Sequence, residues 1–589
     1  MVMIGALCKA AAMIPLVMRA LKIHRWAYGL GALCLVCVPL QGQILYTDVS
    51  ETAGVDGDVY NSDGGHGLGV NWIDFNADGW PDLFVVGGRP GQASHLFQND
   101  GDGTFSRADD LLPTLPNVEV SGSRFADYDR DGDLDLFLYT DNDDLVITSG
   151  NNPPDGPLNI LLRNLWVENG GGVAPGEPLF EDVATAAGVD GGLDEPYGPM
   201  PGLRSKTASW LDYDRDGCLD LFVGQMVINE GGTVPNTDRL YRNLCDGTFD
   251  DVTVASGVNS GTTETMHRAA LASGGFHLDN DLWPELYVVN VSYGDQQPYL
   301  NDLIYQNLGA TAEPATFYEL AGTLPGVGDD AQAGMGIDAA DIDLDGDWDV
   351  YISDILNTLL DELPRGNVLY LNDGAGGFSD NAAVAAGVVG DDSWGVNFFD
   401  ADNDGWEDLY VSTIAGNDQE LLYRNNGRVG DDPVTLTNVA EAAGLVTENS
   451  RGSAVADFDR DGDLDLAVVN QNGPLQLFRN DTANAGHWLV LELEGGASSR
   501  DAIGTLVEVT TGTVVRRRQV KGGSSAHSQD ALAVHIGLGS AANVDEIRIR
   551  WASGQETVIL GAAADQYLQV VEPLFADGFE SGDTSAWHP

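Results

Sequence analysis

The chain is poor in cysteine, in positive charge and in long apolar runs, and each shortage narrows what it can be. Its 589 residues hold five cysteines. Cys8, Cys34 and Cys37 fall in the N-terminal segment, leaving Cys218 and Cys245 for the rest. Two thiols exclude a cysteine-rich scaffold; in an exported chain they suggest one disulfide, Cys218 to Cys245, with two separate buried thiols as the alternative. Positive charge is scarcer still: 28 Lys and Arg face 91 Asp and Glu, a formal net charge of −63. A polyanion is repelled by such a field, so nucleic acid is excluded as a partner and cations become the natural counterparts. Acidity of this order also marks disordered chains, but 43% hydrophobic residues and regular strand patterns argue against that class. The apolar run at 26–40 follows Lys9, Arg19, Lys22 and Arg25, and no acid precedes Asp48. It is short for a membrane span, so 1–42 reads as an export signal cleaved near Gly42. The expectation is a secreted or cell-surface chain with no stable membrane span after signal removal.

Catalytic signatures are also lacking. There is no H-E-x-x-H dyad, no G-x-S-x-G elbow and no cysteine nucleophile with an obvious partner. His66, His95, His267, His277, His487, His527 and His535 are scattered and read as structural or surface residues. Carboxylates are so abundant that no acid–base pair stands out. The expectation is therefore a non-enzyme.

What the chain has in plenty is one repeated acidic string. It starts at Asp74, Asp127, Asp212, His277, Asp341, Asp400 and Asp457, the fullest copies reading DYDRDGDLD from Asp127 and DFDRDGDLD from Asp457. A Gly/Ser-rich run precedes each copy and a short apolar strand follows. Next comes a strand ending in Asn, as at Asn99, Asn243, Asn372 and Asn480, then a Gly-rich turn and an aromatic-led strand such as that beginning at Phe249. Short β-type runs between Gly, Asn and Asp turns are antiparallel hairpins, four strands to a repeat. Seven such units predict an all-β fold with a seven-bladed β-propeller over 43–483. The aromatic-led strand appears once before any acidic string, at Tyr46, and is missing after the last repeat. The N-terminal strand at 46–49 is thus expected to complete the last blade.

In the string from Asp127 to Asp135, side-chain oxygens fall at positions 1, 3, 5 and 9, with Gly at 6. Calcium takes six to eight oxygen ligands, and alternate carboxylates on a tight loop supply them, with the carbonyl of position 7 as a further donor. The flanks have strand rather than helical periodicity, which separates these loops from EF-hands. The expected ligands are Asp74, Asn76, Asp78 and Asp82; Asp127, Asp129, Asp131 and Asp135; Asp212, Asp214, Asp216 and Asp220; Asp341, Asp343, Asp345 and Asp349; Asp400, Asp402, Asp404 and Asp408; and Asp457, Asp459, Asp461 and Asp465. Trp80, Asp133, Cys218, Asp347, Trp406 and Asp463 would add their backbone carbonyls. The fourth copy has His277 at position 1 and Leu282 at 6, so Asp279, Asp281 and Glu285 are expected to hold calcium weakly or not at all. That makes about six Ca2+ sites, which should couple to folding. The longest interval, between the second and third strings, includes 141–159, 167–178 and 190–206; these read equally as recognition loops or tolerated insertions.

These strings resemble the FG-GAP/VCBS repeat family, the calcium-loop propeller also seen in integrin α-subunit heads. The motifs HWL at His487, RDAIG at Arg500, GGSSAHSQ at Gly522, HIGLG at His535 and WASG at Trp551 resemble the ASPIC/UnbV module. Together they resemble the bacterial relatives of cartilage acidic protein. The resemblance implies an extracellular calcium-binding protein without established catalysis, acting in binding or adhesion towards an unidentified extracellular protein or glycan, and monomeric. The alternatives are an extracellular polysaccharide-active lyase or hydrolase on the same scaffold, or a structural envelope or matrix component. Alternation in 484–560 predicts a small all-β domain there. Its basic cluster, Arg516, Arg517, Arg518 and Lys521, reads first as a solvated strand face, then as an anion site or a docking face against the propeller. Residues 561–589 are expected as a tail; the aromatic islands at 575–587 resemble a C-terminal tag on exported proteins of some Gram-negative bacteria.

Overall fold

The computed structural model describes residues 43–60, 68–88, 91–116, 118–141, 159–173, 177–191, 205–226, 238–258, 270–279, 281–291, 302–309, 317–320, 334–355, 366–374, 377–379, 382–388, 392–414, 420–428, 433–447, 449–483 and 486–573. The expected signal segment, the tag-like tail and most of 141–159 and 190–206 lie outside them.

Each acidic string turns an inner strand into a second strand, because its turn residues leave nothing to continue the first. Blade 1 orders Val70–Ile73, Asp82–Val85, His95–Asn99 and Phe105–Arg107 from inside outward, every neighbour antiparallel. The same order recurs with inner strands Glu119–Ala126, Ser205–Leu211, Ala270–Phe276, Ser393–Phe399 and Ser450–Ala456, and with three strands and an isolated Asn372–Phe378 bridge in the blade of Gly334–Ala340. Those seven inner strands touch one another in cyclic order, the last against the first. Inner and second strands are buried on both faces, as in Asp135–Asp141, because neighbouring blades cover both. Outer strands such as Phe180–Asp182 bury only their leading aromatic. The ring closes as the sequence predicts. Tyr46–Asp48 pairs antiparallel with the third strand of blade 7, Tyr46 opposite Asn480.

The C-terminal residues form two sheets, face to face. One joins His487–Glu494 antiparallel to Val534–Gly539 and parallel to Gln566–Val571. The other orders Val514–Gln519, Leu506–Thr511, Asn543–Arg550 and Glu556–Ala563. The boundary expected at 560 is corrected here: Leu560 sits inside a strand, and Gln566–Val571 supplies half the partners of His487–Glu494 rather than beginning a tail. The core between these sheets, with Leu489, Val509, Ile536 and Ile547, runs on without a break into Tyr128, Tyr139 and Trp210 of blades 2 and 3.

This continuity arises because the segment after Gln519 enters the propeller. The innermost strand of every blade is a sheet edge with unpaired backbone groups, and the segment satisfies them. Trp210 N donates to Gly522 O at 3.0 Å, Ser525 N to Ile337 O at 2.7 Å, and Trp72 N to Gln529 O at 3.1 Å. The Gln529 amide brackets Phe125, accepting from its N and donating to its O. Arg124, fully buried, donates to Ala208 O, Ser524 O and Ser528 O. Gly69 marks the close approach: a Cβ there would stand 2.0 Å from His527 O.

Candidate metal centres and the seam above them

The loops acquire their shape from two positions of left-handed backbone. Position 6 glycines have φ of 86° at Gly79, 108° at Gly132 and 94° at Gly462, a region that costs a Cβ-bearing residue strain. Position 4 is also left-handed although it carries side chains, with φ of 63° at Arg130, 57° at Arg215 and 57° at Arg460. The turn points amides inward at the first carboxylate: Gly79 N lies 2.8 Å from Asp74, Gly132 N 3.0 Å from Asp127, Gly217 N 3.0 Å from Asp212, Gly405 N 2.7 Å from Asp400 and Gly462 N 2.7 Å from Asp457. In the fifth loop Gly346 N reaches Asp341 at 3.3 Å. The amides of Trp80, Asp133, Cys218, Asp347, Trp406 and Asp463 donate to the carboxylate at position 5.

In the second and third loops three of the four expected side chains are brought together. Asp127, Asp129 and Asp135 offer oxygens within 4.8 Å of one another, as do Asp212, Asp214 and Asp220. Within these sets Asp127 Oδ1, Asp129 Oδ1 and Asp214 Oδ1 are buried with no hydrogen-bond partner, and so are Asp131 Oδ2, Asp402 Oδ1 and Asp459 Oδ1. An orphaned buried carboxylate oxygen is costly. Burial first, then neighbouring carboxylates, pushes Asp127 up to about 8, Asp129 to about 6 and Asp212 to about 7. Burial pushes Asp82 up to about 9 and holds Asp135, Asp220, Asp349, Asp400, Asp408 and Asp465 well above the carboxylate range. Hard oxygen donors with their negative charge uncompensated are what a calcium ion requires, so the residues fit that group. Loaded, the ion would supply charge compensation and cross-link the two strands that each loop joins.

Arginines reach some of these carboxylates from the third strand. Arg242 holds Asp214 at 2.5 Å and Asp216 at 2.9 Å, and Arg424 holds Asp402 at 2.7 Å and Asp404 at 2.9 Å. They use the outer oxygens and leave Asp214 Oδ1 and Asp402 Oδ1 without partners. In the fourth loop Asp279, Asp281 and Glu285 still cluster. His277 turns instead to the module, its Nε2 donating to Gly504 O at 2.8 Å. Burial lowers that ring to about 4, so it stays neutral.

Position 9 has a second duty in every blade. Asp82 accepts from Phe75 N and Asn99 N, Asp135 from Tyr128 N and Asn164 N, and Asp465 from Phe458 N and Asn480 N. The Asn ending the third strand then joins neighbours. Its Nδ2 donates to the position-2 carbonyl of the preceding blade: Asn99 to Phe458 O, Asn164 to Phe75 O, Asn243 to Tyr128 O, Asn307 to Tyr213 O, Asn372 to Leu278 O, Asn425 to Ile342 O and Asn480 to Ala401 O, all between 2.7 and 2.9 Å. Seven such latches go once around the ring. The recurring Asn is visible in the sequence, but its partner is not.

Cys218 and Cys245 form a disulfide with Cα atoms 5.7 Å apart, tying the third loop to the turn beside it.

The module covers the loop-bearing face. Arg130 donates to Gly496 O and Ser498 O, Arg215 to Ala552 O, Asp127 N to Asp501, and Tyr567 Oη to Asp457 at 2.5 Å. The basic cluster is corrected from a solvated strand face to a docking face. Arg518 pairs with Glu407 at 2.9 Å and Lys521 with Asp338 at 2.5 Å, Arg516 packs on Gly405, and Arg517 lies 3.9 Å from Asp341. The acidic loops draw the cations inward, and Glu407 and Asp338 are themselves buried, so each needs a partner.

Comparison with known families agrees with this geometry. Residues 74–138 match the FG-GAP-like repeat. Residues 495–574 match the model described as ASPIC and UnbV, whose span includes the strand Gln566–Val571. Among characterised proteins, Cartilage acidic protein 1 of Mus musculus is 26% identical over 44% of this chain and 40% of its own length. The Homo sapiens protein is 26% identical over 44% of the chain and 39% of its own. The matched part therefore spans about two fifths of these FG-GAP-like relatives. Among solved structures, a rhamnogalacturonan lyase aligns at 13% identity over 74% of this chain and 75% of that one, TM-score 0.36. An exo-beta-1,3-galactanase from Phanerochaete chrysosporium aligns at 12% identity over 87% and 98%, TM-score 0.27. Among the described residues no helix is long and apolar enough to cross a membrane.

Proposed function

We propose that the chain is an exported calcium-binding propeller that serves as an extracellular binding protein, its ions structural. The observation that carries this reading is the set of buried, partnerless carboxylate oxygens repeated at matching loop positions. Loops 1, 2, 3, 5, 6 and 7 would each take one ion through their position 1, 3, 5 and 9 side chains, and loop 4 would stay weak without its first carboxylate. The binding role rests on the likeness to Cartilage acidic protein 1 and on the absence of a catalytic motif from the sequence. The test is elemental analysis of the purified chain with equilibrium calcium titration. Six bound ions per chain, with Asp127→Asn lowering the number by one, are expected; fewer than three would overturn the reading.

A further inference from the structure

Arginines compensate the outer side of some acidic loops and leave one loop short. In blade 3 the carboxylate at position 5 has both oxygens taken: Asp216 Oδ1 accepts from Cys218 N at 3.0 Å and Oδ2 from Arg242 Nη2 at 2.9 Å. Blade 6 repeats the pair, Asp404 Oδ1 accepting from Trp406 N at 3.0 Å and Oδ2 from Arg424 Nη2 at 2.9 Å. Both arginines stand one residue before the Asn that ends the third strand, and blade 2 has Arg163 at that place. Its guanidinium has other partners: Nη2 holds Glu181 at 3.0 Å, and Nε lies 4.0 Å from Glu168. Asp131 Oδ1 still accepts from Asp133 N at 3.2 Å. Its Oδ2, the oxygen that an arginine takes in the other two blades, is buried without a partner.

Two further acids join it. Asp133, at position 7, is 3% exposed. Its Oδ2 accepts from Val167 N at 2.7 Å, and its Oδ1 is buried without a partner. The acid at the same place in loop 7 is satisfied, Asp463 Oδ1 accepting from Asn403 Nδ2 at 2.6 Å. Glu168, just past the third strand, brings another carboxylate, and oxygens of Asp131, Asp133 and Glu168 lie within 4.8 Å of one another. Three gathered carboxylates with two orphaned oxygens repel one another unless a cation stands among them. Oxygens that share a calcium ion at about 2.3–2.6 Å stand no more than about 5 Å apart, so their inner faces need no water-sized opening. Glu168 is exposed and leaves the outer side open to solvent.

We propose that Asp131, Asp133 and Glu168 form a second cation site beside loop 2, taking a divalent, oxygen-seeking ion, calcium, with water completing its shell. The site adds to the proposed loop ions and rests on that reading only through Asp131, which the two ions would share. Three side chains hold an ion less tightly than a full loop does, so its dissociation constant should be about 10−4 to 10−3 M. The test is equilibrium dialysis of the full chain against radioactive calcium, resolved into tightly and weakly bound ions. Glu168→Gln should lower the number of weak ions by one and leave the tight ions unchanged. Asp133→Asn, which keeps the backbone carbonyl expected in loop 2, should do the same. Glu177→Gln removes the same charge from an exposed acid of the same blade outside the cluster, and it should change neither number. Weak ions that survive both cluster variants, or that Glu177→Gln lowers equally, would overturn the proposal. So would a parent chain without any weak ion, its carboxylates then sharing a proton. The tight ions counted on the same samples keep that failure separate from failure of the loop reading.

Discussion

Replacing Asn164 by alanine cuts one latch between blades 1 and 2. Its side chain is fully buried; Nδ2 donates to Phe75 O at 2.8 Å and to Leu134 O at 3.2 Å, while Oδ1 accepts from Trp166 N at 3.1 Å. Alanine leaves two carbonyls and one amide with lost partners, at about 1–3 kcal/mol for each group that water cannot reach. Only the bond to Phe75 O crosses to the neighbouring blade and is fully buried, so the expected loss is about 1–3 kcal/mol. The backbone bond from Asn164 N to Asp135 survives, so the loop keeps its shape and calcium should still bind. The assay is urea unfolding in saturating calcium, with stability taken from the midpoint and slope. Asn426→Ala is the control, because Asn426 is exposed and bonds only its neighbours Thr435 and Thr437; it should cost no more than about 0.5 kcal/mol. Asn99→Ala, which cuts the ring where blade 1 meets blade 7, and Asn480→Ala, which cuts it between blades 6 and 7, should behave like Asn164→Ala. A loss below about 1 kcal/mol at Asn164, or one equal to the control, would refute the latch as a source of stability.

Chelation should lower the melting temperature, since each ion at about a hundredfold excess over its Kd contributes about 2.7 kcal/mol; an unchanged melting curve in chelator would refute metal-coupled folding. In the metal-free chain, burial raises Asp74 to about 6, Asp127 to about 8 and Asp82 to about 9, so the folded state binds more protons than the unfolded one. Stability without metal should therefore be highest near the ordinary carboxylate range and fall as pH rises towards 9, while calcium affinity rises over that window; parallel trends in melting scans would refute the assignment. Arg518→Ala leaves Glu407 buried beside an empty place and should cost about 3–5 kcal/mol, with Glu407→Gln in the same chain restoring part of it. Cys218→Ser opens a loop with a sequence separation of 27 and should cost about 3–4 kcal/mol in urea unfolding, with no effect of reductant on the variant.

Much of the fold was legible because its code is local. The acid at position 9, the Gly at position 6 and the aromatic-led strand all act within a few residues of themselves, and the extra strand at Tyr46 announced the closure seen opposite Asn480. The candidate metal residues were legible for the same reason: a nine-residue turn can gather its own carboxylates. Other features had a signal without a meaning. The Asn at the end of each third strand recurs openly, yet it bonds the carbonyl of Phe458 or Tyr128 in another blade, and no periodicity names that partner. Arg516, Arg517, Arg518 and Lys521 read as solvated because strand alternation says nothing of what covers the strand.

The sequence by itself therefore determined the repeat, the acidic loops, the disulfide candidates and the strand that closes the ring, since each is set by neighbours along the chain. Only the tertiary structure decided that the segment around Gly522 and Gln529 enters the propeller, that the module sits on the loop face, and that a cavity lies between them. Those arrangements join residues as far apart as Phe125 and Gln529. They exist because unpaired inner-strand edges and buried acids must find partners wherever the closed ring brings them.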